Sequence, residues 1–310
     1  MAAVLREIEL FVAAYEAQSF TGAARRENLT QSGVSQRIRK IETRLGVDLF
    51  VREPGVVKPT PAGHAYYRHC LDVLKTHAGA ELAMRRFAGS VPDELVVGLM
   101  PTMTRATLAP ALDEFIRAHP NVALQVIEGY SGELTERVRT GELAFAIVPA
   151  VADSRGIRGS HFATSPELLV SANASRLPHL APMRLAELGP LKIVVPTARN
   201  ARRQRIETYL TCNDIAVQAR LEIDTMFGTL DFVARSDWVA ILPGIMMVPD
   251  LPGNGLRINT LLDPALSLDL ILIEPARRPL PPAAEALLAA LRRSVKKMLT
   301  QLRSKLQRSR

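Results

Sequence analysis

Cysteine is scarce in this sequence: the 310 residues contain only Cys70 and Cys212, which lie far apart along the chain. This number excludes a disulfide framework and a cysteine-based metal site, and it is typical of a protein in a reducing cytoplasm. A disulfide switch confined to the second half of the chain is excluded as well, because Cys212 stands alone there. We expect no histidine-based metal site at His64, His69 and His77 either.

Long apolar runs are also missing. No stretch approaches the roughly 20 apolar residues of a membrane span, and Pro243 and Gly244 interrupt the longest run, at positions 238–248. Charged residues near the N-terminus interrupt the apolar region that a signal peptide needs. We therefore expect a cytoplasmic protein without membrane contact. Phosphate-binding loops and nucleophile elbows are absent too, so no enzymatic activity is predicted.

Acidic residues are absent from the last 19 positions, 292–310, which hold eight basic residues. The rest of the chain has 31 basic and 31 acidic residues, so the net charge of +8 belongs to this basic tail. Overall charge therefore gives no argument for nucleic-acid binding, which has to rest on local pattern. The tail also carries Leu299, Leu302 and Leu306. It could form an amphipathic helix that contacts DNA or a partner subunit, or a frayed and solvated end; we favour the second.

The stretch from position 20 to 49 has the pattern of two helices joined by a tight turn. The first helix is predicted to begin at Thr21, with Thr21 as its cap, and the second to run from about Thr30 to Arg44. Apolar residues of the second helix recur at helical spacing: Val34, Ile38, Ile41 and Leu45. Its opposite face carries groups that bind phosphates or base edges: Ser32, Ser35, Gln36, Arg39, Lys40 and Thr43. A helix of this kind is suited to the major groove of DNA.

The flanking segments complete a winged helix-turn-helix domain at residues 1–61. A helix over residues 4–18 closes a three-helix core, and the short segment Val51–Pro61 is predicted to form a hairpin, the wing. A linker helix at 62–89 follows, about 27 residues and therefore about 40 Å long. Its narrow apolar seam (Tyr67, Cys70, Leu71, Leu74, Ala78 and Leu82) favours pairing with a partner chain over burial in its own domain.

Residues 90–310 alternate predicted strands and helices, which indicates parallel sheets covered by helices. We divide this region into lobe I (about 90–163 and 267–298), lobe II (about 164–266) and the basic tail (299–310). The final helix is predicted to run from Pro282 to Met298. Two α/β lobes with crossovers between them place a ligand cleft at the carboxyl ends of their strands.

The segment FVAAYEAQSFTGAARRENLTQSGVSQRIRKIETRLGVDLFVRE, together with TPAG at 60–63, resembles the N-terminal motif of LysR-type transcriptional regulators. The likeness extends more loosely to about residue 295. Gly33 stands where the family usually has Ala, Ile41 replaces a Leu, and Leu143-Ala144-Phe145 replaces the common Leu-Asp. The wing also lacks a second Arg that is frequent in the family.

This resemblance implies an α/β fold class with an all-α winged helix-turn-helix N-terminal domain, a long linker helix and a two-lobed, periplasmic-binding-protein-like effector domain. It also implies double-stranded promoter DNA and RNA polymerase as partners, a homodimer or homotetramer, no cofactor, and a small-molecule effector. By match to the motif, the DNA-binding candidates are Gln31, Ser32, Ser35, Gln36, Arg39, Lys40, Arg52 and Lys58.

The resemblance also assigns an effector site to the cleft, at Thr102, Met103, Gly129, Tyr130, Ser131, Pro196, Thr197, Arg199 and Phe227. Arg199, Arg202 and Arg203 crowd one predicted helix start, where backbone amides favour anions, so an anionic or carboxylate effector is one hypothesis. Arginines that face solvent or cap the neighbouring lobe are the other hypothesis, and the sequence leaves both open.

A second class of function has to be weighed against a regulator. A solute-binding protein or an enzyme with a periplasmic-binding-protein-like domain would use the same cleft. The helix-turn-helix and the missing signal peptide argue against the first, and the missing catalytic constellation argues against the second.

Overall fold

A computed structural model of the chain describes residues 2–53, 56–87, 94–149, 154–253 and 255–308. Two units emerge: the first is residues 1–90 with 155–158 and 275–279, and the second is the remainder. The two short segments come from the region that the sequence assigns to the effector domain. The domain boundaries after residues 61 and 89 stay predictions.

The first unit is a helical domain with a small hairpin. Its elements are α1 (Ala2–Ala17), α2 (Phe20–Arg26), α3 (Gln31–Leu45), β1 (Phe50–Glu53), β2 (Val56–Pro59) and α4 (Pro61–Phe87). β1 and β2 are antiparallel neighbours, so the predicted hairpin is confirmed, as is the long helix that follows it.

Local side-chain chemistry fixes both ends of α3. The Thr30 hydroxyl accepts a hydrogen bond from the Gly33 amide at 3.1 Å, which caps the helix as predicted. A Cβ atom at position 33 would stand 3.1 Å from this hydroxyl oxygen, so glycine relieves a tight contact there. The helix ends at Gly46, whose φ of 69° lies in the left-handed region that favours glycine.

The cap of α2 differs from the prediction. Ser19, not Thr21, holds the capping position, and its hydroxyl accepts a hydrogen bond from the Gly22 amide at 3.1 Å. Thr21 lies inside the helix and is exposed. Both hydroxyl residues fit the sequence rule for a cap; the extended backbone of Ser19 decides between them.

The apolar seam of α4 is largely used inside the first unit. Tyr67, Cys70 and Leu74 are buried in one core with the apolar faces of α1, α2 and α3. The expectation that this seam lacks a partner in its own domain is therefore wrong for the first half of the helix. Val73 and Met84 are exposed apolar residues on α4.

The second unit alternates strands and helices. Its strands are β3 (Glu94–Leu99), β4 (Ala123–Glu128), β5 (Phe145–Val148), β6 (Ile157–Ala172), β7 (Pro182–Met183), β8 (Leu191–Val195), β9 (Val217–Glu222), β10 (Val239–Pro243), β11 (Leu256–Leu261) and β12 (Ser267–Pro275). Its helices are α5 (Pro101–Met103), α6 (Ala109–Ala118), α7 (Ser131–Arg139), α8 (Arg202–Cys212), α9 (Met226–Ala234) and α10 (Pro282–Arg308). A π-helical segment, Thr104–Leu108, joins α5 to α6, and two 3-10 helices span Leu185–Leu188 and Gly244–Asp250.

The strand order is β4-β3-β5-β12-β6-β10-β8-β9, with β11 also beside β6. β3 is parallel to β4 and β5, and β8 is parallel to β9 and β10. β12 and β6 run antiparallel to β5 and β10 respectively, so they separate two parallel groups. Each group forms one lobe, which confirms the predicted two-lobed α/β architecture.

The last helix departs most from its prediction. α10 continues to Arg308, ten residues beyond the predicted end at Met298. Leu291 and Val295 are buried in the core of lobe I, whereas Leu302 is fully buried in the core of lobe II. The favoured description of residues 299–308 as a frayed end is therefore wrong, because burial of their leucines holds the helix in place.

Candidate nucleic-acid interface and effector cleft

The two faces of α3 have opposite environments. Val34, Ile38 and Ile41 are fully buried, which fixes the rotation of the helix about its axis. The residues predicted to contact DNA point away from this stripe: Gln31, Ser32, Gln36, Arg39 and Lys40 are exposed and Ser35 is half-buried. Among the described residues, Arg39 and Lys40 have no ion-pair partner. Both cations can therefore bind phosphates without first breaking an internal contact.

The hairpin is held to α3 by a buried carboxylate. Glu42 is 5% exposed, and its Oε1 accepts hydrogen bonds from the amides of Leu49 (2.9 Å) and Phe50 (3.2 Å). Lys58 is exposed on β2. Arg52 lies on β1, and its side chain is outside the described part of the structure. The sequence motif contains the Glu42 position, but its spacing alone does not indicate this anchoring role.

A second buried carboxylate, Glu16 of α1, holds α2 and α4. Its Oε2 accepts hydrogen bonds from the guanidinium groups of Arg26 (2.7 Å) and Arg277 (2.5 Å), and its Oε1 accepts one from the Tyr67 hydroxyl (3.0 Å). Burial raises the pKa of Glu16, but the charges of Arg277 and Arg26 outweigh it and lower the pKa overall. The sequence gives no sign of this cluster, because Arg277 is 261 positions away from Glu16.

Within the second unit, polar groups from both lobes meet at the carboxyl ends of the strands. Tyr130, after β4, donates its hydroxyl proton to the Asp224 carbonyl oxygen, after β9. The Asp224 carboxylate accepts hydrogen bonds from the amide (2.9 Å) and hydroxyl (2.5 Å) of Thr197, after β8. Thr104 donates to the Glu128 carboxylate at 2.6 Å. The pKa of Tyr130 is raised by burial and by the negative charges of Asp224 and Glu128, so both carboxylates act at this cleft.

The remaining predicted effector residues vary in exposure. Thr102 is 1% exposed and Ser131 is 7% exposed, whereas Gly129 and Pro196 are half-buried and Arg199 is exposed. Phe227 of α9 is 69% exposed. Ser131 is the first residue of α7, and Tyr130 holds the capping position before it.

Met103 is the predicted effector residue that packs most fully inside a lobe. It is 0% exposed and belongs to the apolar core of lobe I, beside Thr102 at 1%. Its place in this core supports Thr102 from within the lobe, and its contact with an effector stays a prediction.

Two of the three arginines near α8 are already used by the protein. Arg202 donates to both carboxylate oxygens of Glu167 at 3.0 and 2.8 Å, and both side chains are 3% exposed. Arg203 pairs with Glu207 and Glu222 at 2.9 Å each. The expectation that these arginines attract an anion is therefore wrong for Arg202 and weakened for Arg203. Arg199 stays exposed.

The residues that the structure describes offer neither a metal site nor a membrane-spanning helix. They contain no group of three or more His, Cys, Asp or Glu side chains arranged to hold a metal ion. None of their helices combines the length and apolar character that crossing a membrane requires.

Comparison with known proteins supports this architecture. Residues 5–64 match the model for "Bacterial regulatory helix-turn-helix protein, lysR family", and residues 88–296 match the model for the LysR substrate binding domain. The chain is 32% identical to the transcriptional regulator AlsR of Bacillus subtilis (strain 168) over 145 residues, 46% of this chain and 48% of AlsR. It is 24% identical over 285 residues to nac, a nitrogen assimilation regulatory protein of Escherichia coli (strain K12), covering 91% of this chain and 92% of nac.

The fold resembles that of full-length CbnR, solved in complex with its target DNA. The TM-score is 0.54 at 18% identity, with 94% of this chain and 99% of CbnR covered. Together, the two family models cover the helix-turn-helix and nearly all of the two-lobed unit. The chain thus belongs to the LysR family of DNA-binding transcriptional regulators.

Proposed function

We propose that this regulator binds promoter DNA as a homodimer or homotetramer and that a small molecule in the cleft between the lobes changes its action on RNA polymerase. It would act in the cytoplasm as a regulator, without a cofactor and not as an enzyme. The exposed face of α3 carries the proposal, because amides, hydroxyls and unpaired cations lie there opposite a fully buried apolar stripe.

The groups on this face differ in what they can recognise. The Gln31 and Gln36 amides can each form two hydrogen bonds with an adenine edge, whereas Arg39 and Lys40 suit phosphates. Ser32 and Ser35 can serve either purpose. Arg52 and Lys58 of the hairpin are proposed as further backbone contacts.

A gel-shift experiment with the DNA upstream of the chain's own coding sequence tests this proposal. Gln31→Ala and Ser35→Ala should each weaken binding roughly tenfold, since a good base contact is worth about 1–3 kcal/mol. Gln218→Ala is the matched control, because Gln218 is an exposed glutamine on β9 in the second unit. Absence of any shift by the native chain at low salt would contradict the proposal.

For the effector, we propose a polar molecule with a hydrogen-bond donor, held near Thr102, Tyr130 and Thr197. The carboxylates of Glu128 and Asp224 support a donor and oppose a simple anion. The anionic effector that the sequence predicts stays a prediction, supported by the exposed Arg199 and by the amides at the start of α7.

Thermal-shift measurements on the full chain separate the two effector classes. A bound effector stabilises the folded state by RT ln(1 + [L]/Kd), so amines, amino acids and carboxylates of equal size can be ranked directly. Amines or amino acids should raise the melting temperature, and Thr102→Val should abolish the rise while keeping the fold. Stabilisation by carboxylates alone would favour the anionic class.

A further inference from the structure

The exposed side of α10 concentrates the positive charge of the second half of the chain. Residues 91–291 contain 18 basic and 22 acidic residues, a net charge of −4, whereas residues 292–310 contribute +8. Seven of those eight basic residues lie on α10 itself: Arg292, Arg293, Lys296, Lys297, Arg303, Lys305 and Arg308. The positive charge of this helix contrasts with the net negative charge of the preceding residues, and solubility alone does not explain the contrast.

Burial of the opposite side fixes the direction of these cations. Val295, Leu299 and Leu302 are buried, so the helix cannot rotate about its axis without exposing them. Arg292, Lys296 and Arg303 follow each other at steps of four and seven residues, which places them in one row along the helix. Arg293, Lys297 and Arg308 form a neighbouring row. The six residues extend over 16 positions, about 24 Å of helix.

Most of this charge is not neutralised within the chain. Arg293 pairs with Glu114, and the Arg292 guanidinium stacks 4.7 Å from the centre of the Phe162 ring. Lys296, Lys297 and Arg303 are exposed and have no acidic partner among the described residues. No carboxylate lies between them on the helix, because residues 292–310 contain none. This side of α10 is therefore suited to a partner whose negative charges repeat at even intervals along its length.

We infer that the exposed basic side of α10, the face formed by Arg292, Lys296, Lys297 and Arg303, is a second DNA contact that binds phosphates without reading sequence. DNA carries one negative charge about every 1.7 Å along its axis, so these four cations, which extend over about 17 Å of helix, meet several phosphates. The helix-turn-helix of the same chain keeps DNA at a high local concentration. The inference goes beyond the family assignment, since Lys297 and Arg303 follow the region matched by the LysR substrate binding domain at 88–296.

The salt dependence of binding by the full chain tests this inference. The affinity for a mixed-sequence duplex of about 40 base pairs is measured between about 50 and 200 mM KCl for the native chain and for the triple variant K296Q/K297Q/R303Q. Each lost phosphate contact lowers the slope of log K against log [KCl] by about 0.9. The triple variant should therefore show a slope smaller by about 2 to 3. Over this range the native chain should lose roughly 40-fold more affinity than the variant does.

A matched control separates a local contact from an effect of net charge. The triple variant R176Q/R235Q/R257Q removes the same charge from lobe II, where Arg176 and Arg235 are exposed and Arg257 is half-buried, and its slope should equal that of the native chain. The melting temperature of K296Q/K297Q/R303Q should match the native value, because Leu299 and Leu302 are unchanged and the three replaced side chains are exposed. An unchanged slope in K296Q/K297Q/R303Q, or an equal decrease in the control, would overturn the inference.

Two further measurements keep failure of this inference distinct from failure of the regulator assignment. The variant R39Q/K40Q on α3 should weaken binding of the same duplex whether or not α10 takes part. If only R39Q/K40Q weakens binding, the α10 contact is rejected and the α3 interface stands. Tighter co-sedimentation of the native chain with phosphatidylglycerol vesicles than with the duplex, at equal salt, would instead assign the basic side to a membrane surface.

Discussion

α3 and α10 are both amphipathic helices with a buried apolar stripe and an exposed basic side, but their exposed groups differ in kind. α3 mixes amides and hydroxyls with Arg39 and Lys40, whereas the exposed basic side of α10, formed by Arg292, Lys296, Lys297 and Arg303, consists of cations and has no carboxylate beyond Glu285 in the first turn. An amide distinguishes one base edge from another, while a cation responds only to phosphate charge. The comparison teaches that positive charge and sequence recognition are separate properties, and here they are assigned to separate helices.

The largest effect is expected from truncating a fully buried apolar side chain on each helix. Ile38→Ala and Leu302→Ala each delete a side chain that is 0% exposed, so each should lower the free energy of unfolding by about 3 kcal/mol. Denaturant titration of the full chain measures both. Gln301→Ala, an exposed neighbour of Leu302, is the control and should change stability by less than about 0.5 kcal/mol. An equally small loss for Leu302→Ala would mean that the end of α10 is not anchored.

The next largest effect is expected in the unit that contains α3, where the stability contributed by the Glu16 carboxylate should depend on pH. Glu16→Gln should cost about 2 kcal/mol at pH 7, because hydrogen bonds from Arg26 and Arg277 to a charged carboxylate are lost. The folded-state pKa of Glu16 is lower than its ordinary value of 4.5, so its contribution is present above that value. The contribution is lost as the pH falls through the folded-state pKa. Unfolding curves of both proteins should therefore converge in acid, and a constant difference down to about pH 3 would contradict this origin.

The smallest expected effect on stability comes from removing a single hydroxyl, that of Thr30 before α3 or that of Thr300 on α10. Thr30→Ala removes the cap of α3 and should cost about 1 kcal/mol. Thr300→Ala makes the same chemical change on the exposed side of α10, where Thr300 is inside the helix, and should cost nothing measurable. Thermal unfolding of the two variants decides between a capping effect and a general effect of threonine. Equal losses of stability in the two variants would show that the Thr30 hydroxyl makes no capping contribution.

Most of the fold could be predicted from the helical and strand periodicity of apolar residues. The spacing of Val34, Ile38 and Ile41 predicted which side of α3 is buried, and all three are at 0% exposure. The alternation of strands and helices predicted for residues 90–310 is present in β3 to β12 and α5 to α10. Periodicity succeeds there because it reports directly which side of an element meets the core.

Features that depend on distant partners were missed. β6 begins at Ile157, and periodicity does not indicate its first half, which is mostly exposed and polar. Glu16 and its partner Arg277 come together only through folding. Near the cleft, Arg202 has chemistry suited to an anion, but its guanidinium is buried in an ion pair with Glu167.

The sequence by itself determined the LysR-type motif at 11–63, the location of the net charge in residues 292–310, and the alternation of elements that produces two lobes. These properties are local, since they depend on residue type and short spacing. Only the tertiary structure decided that residues 299–308 continue α10 and that Leu302 reaches the core of lobe II. The reason is physical: a short leucine pattern beside many cations is stable as a helix only where another surface buries its apolar side.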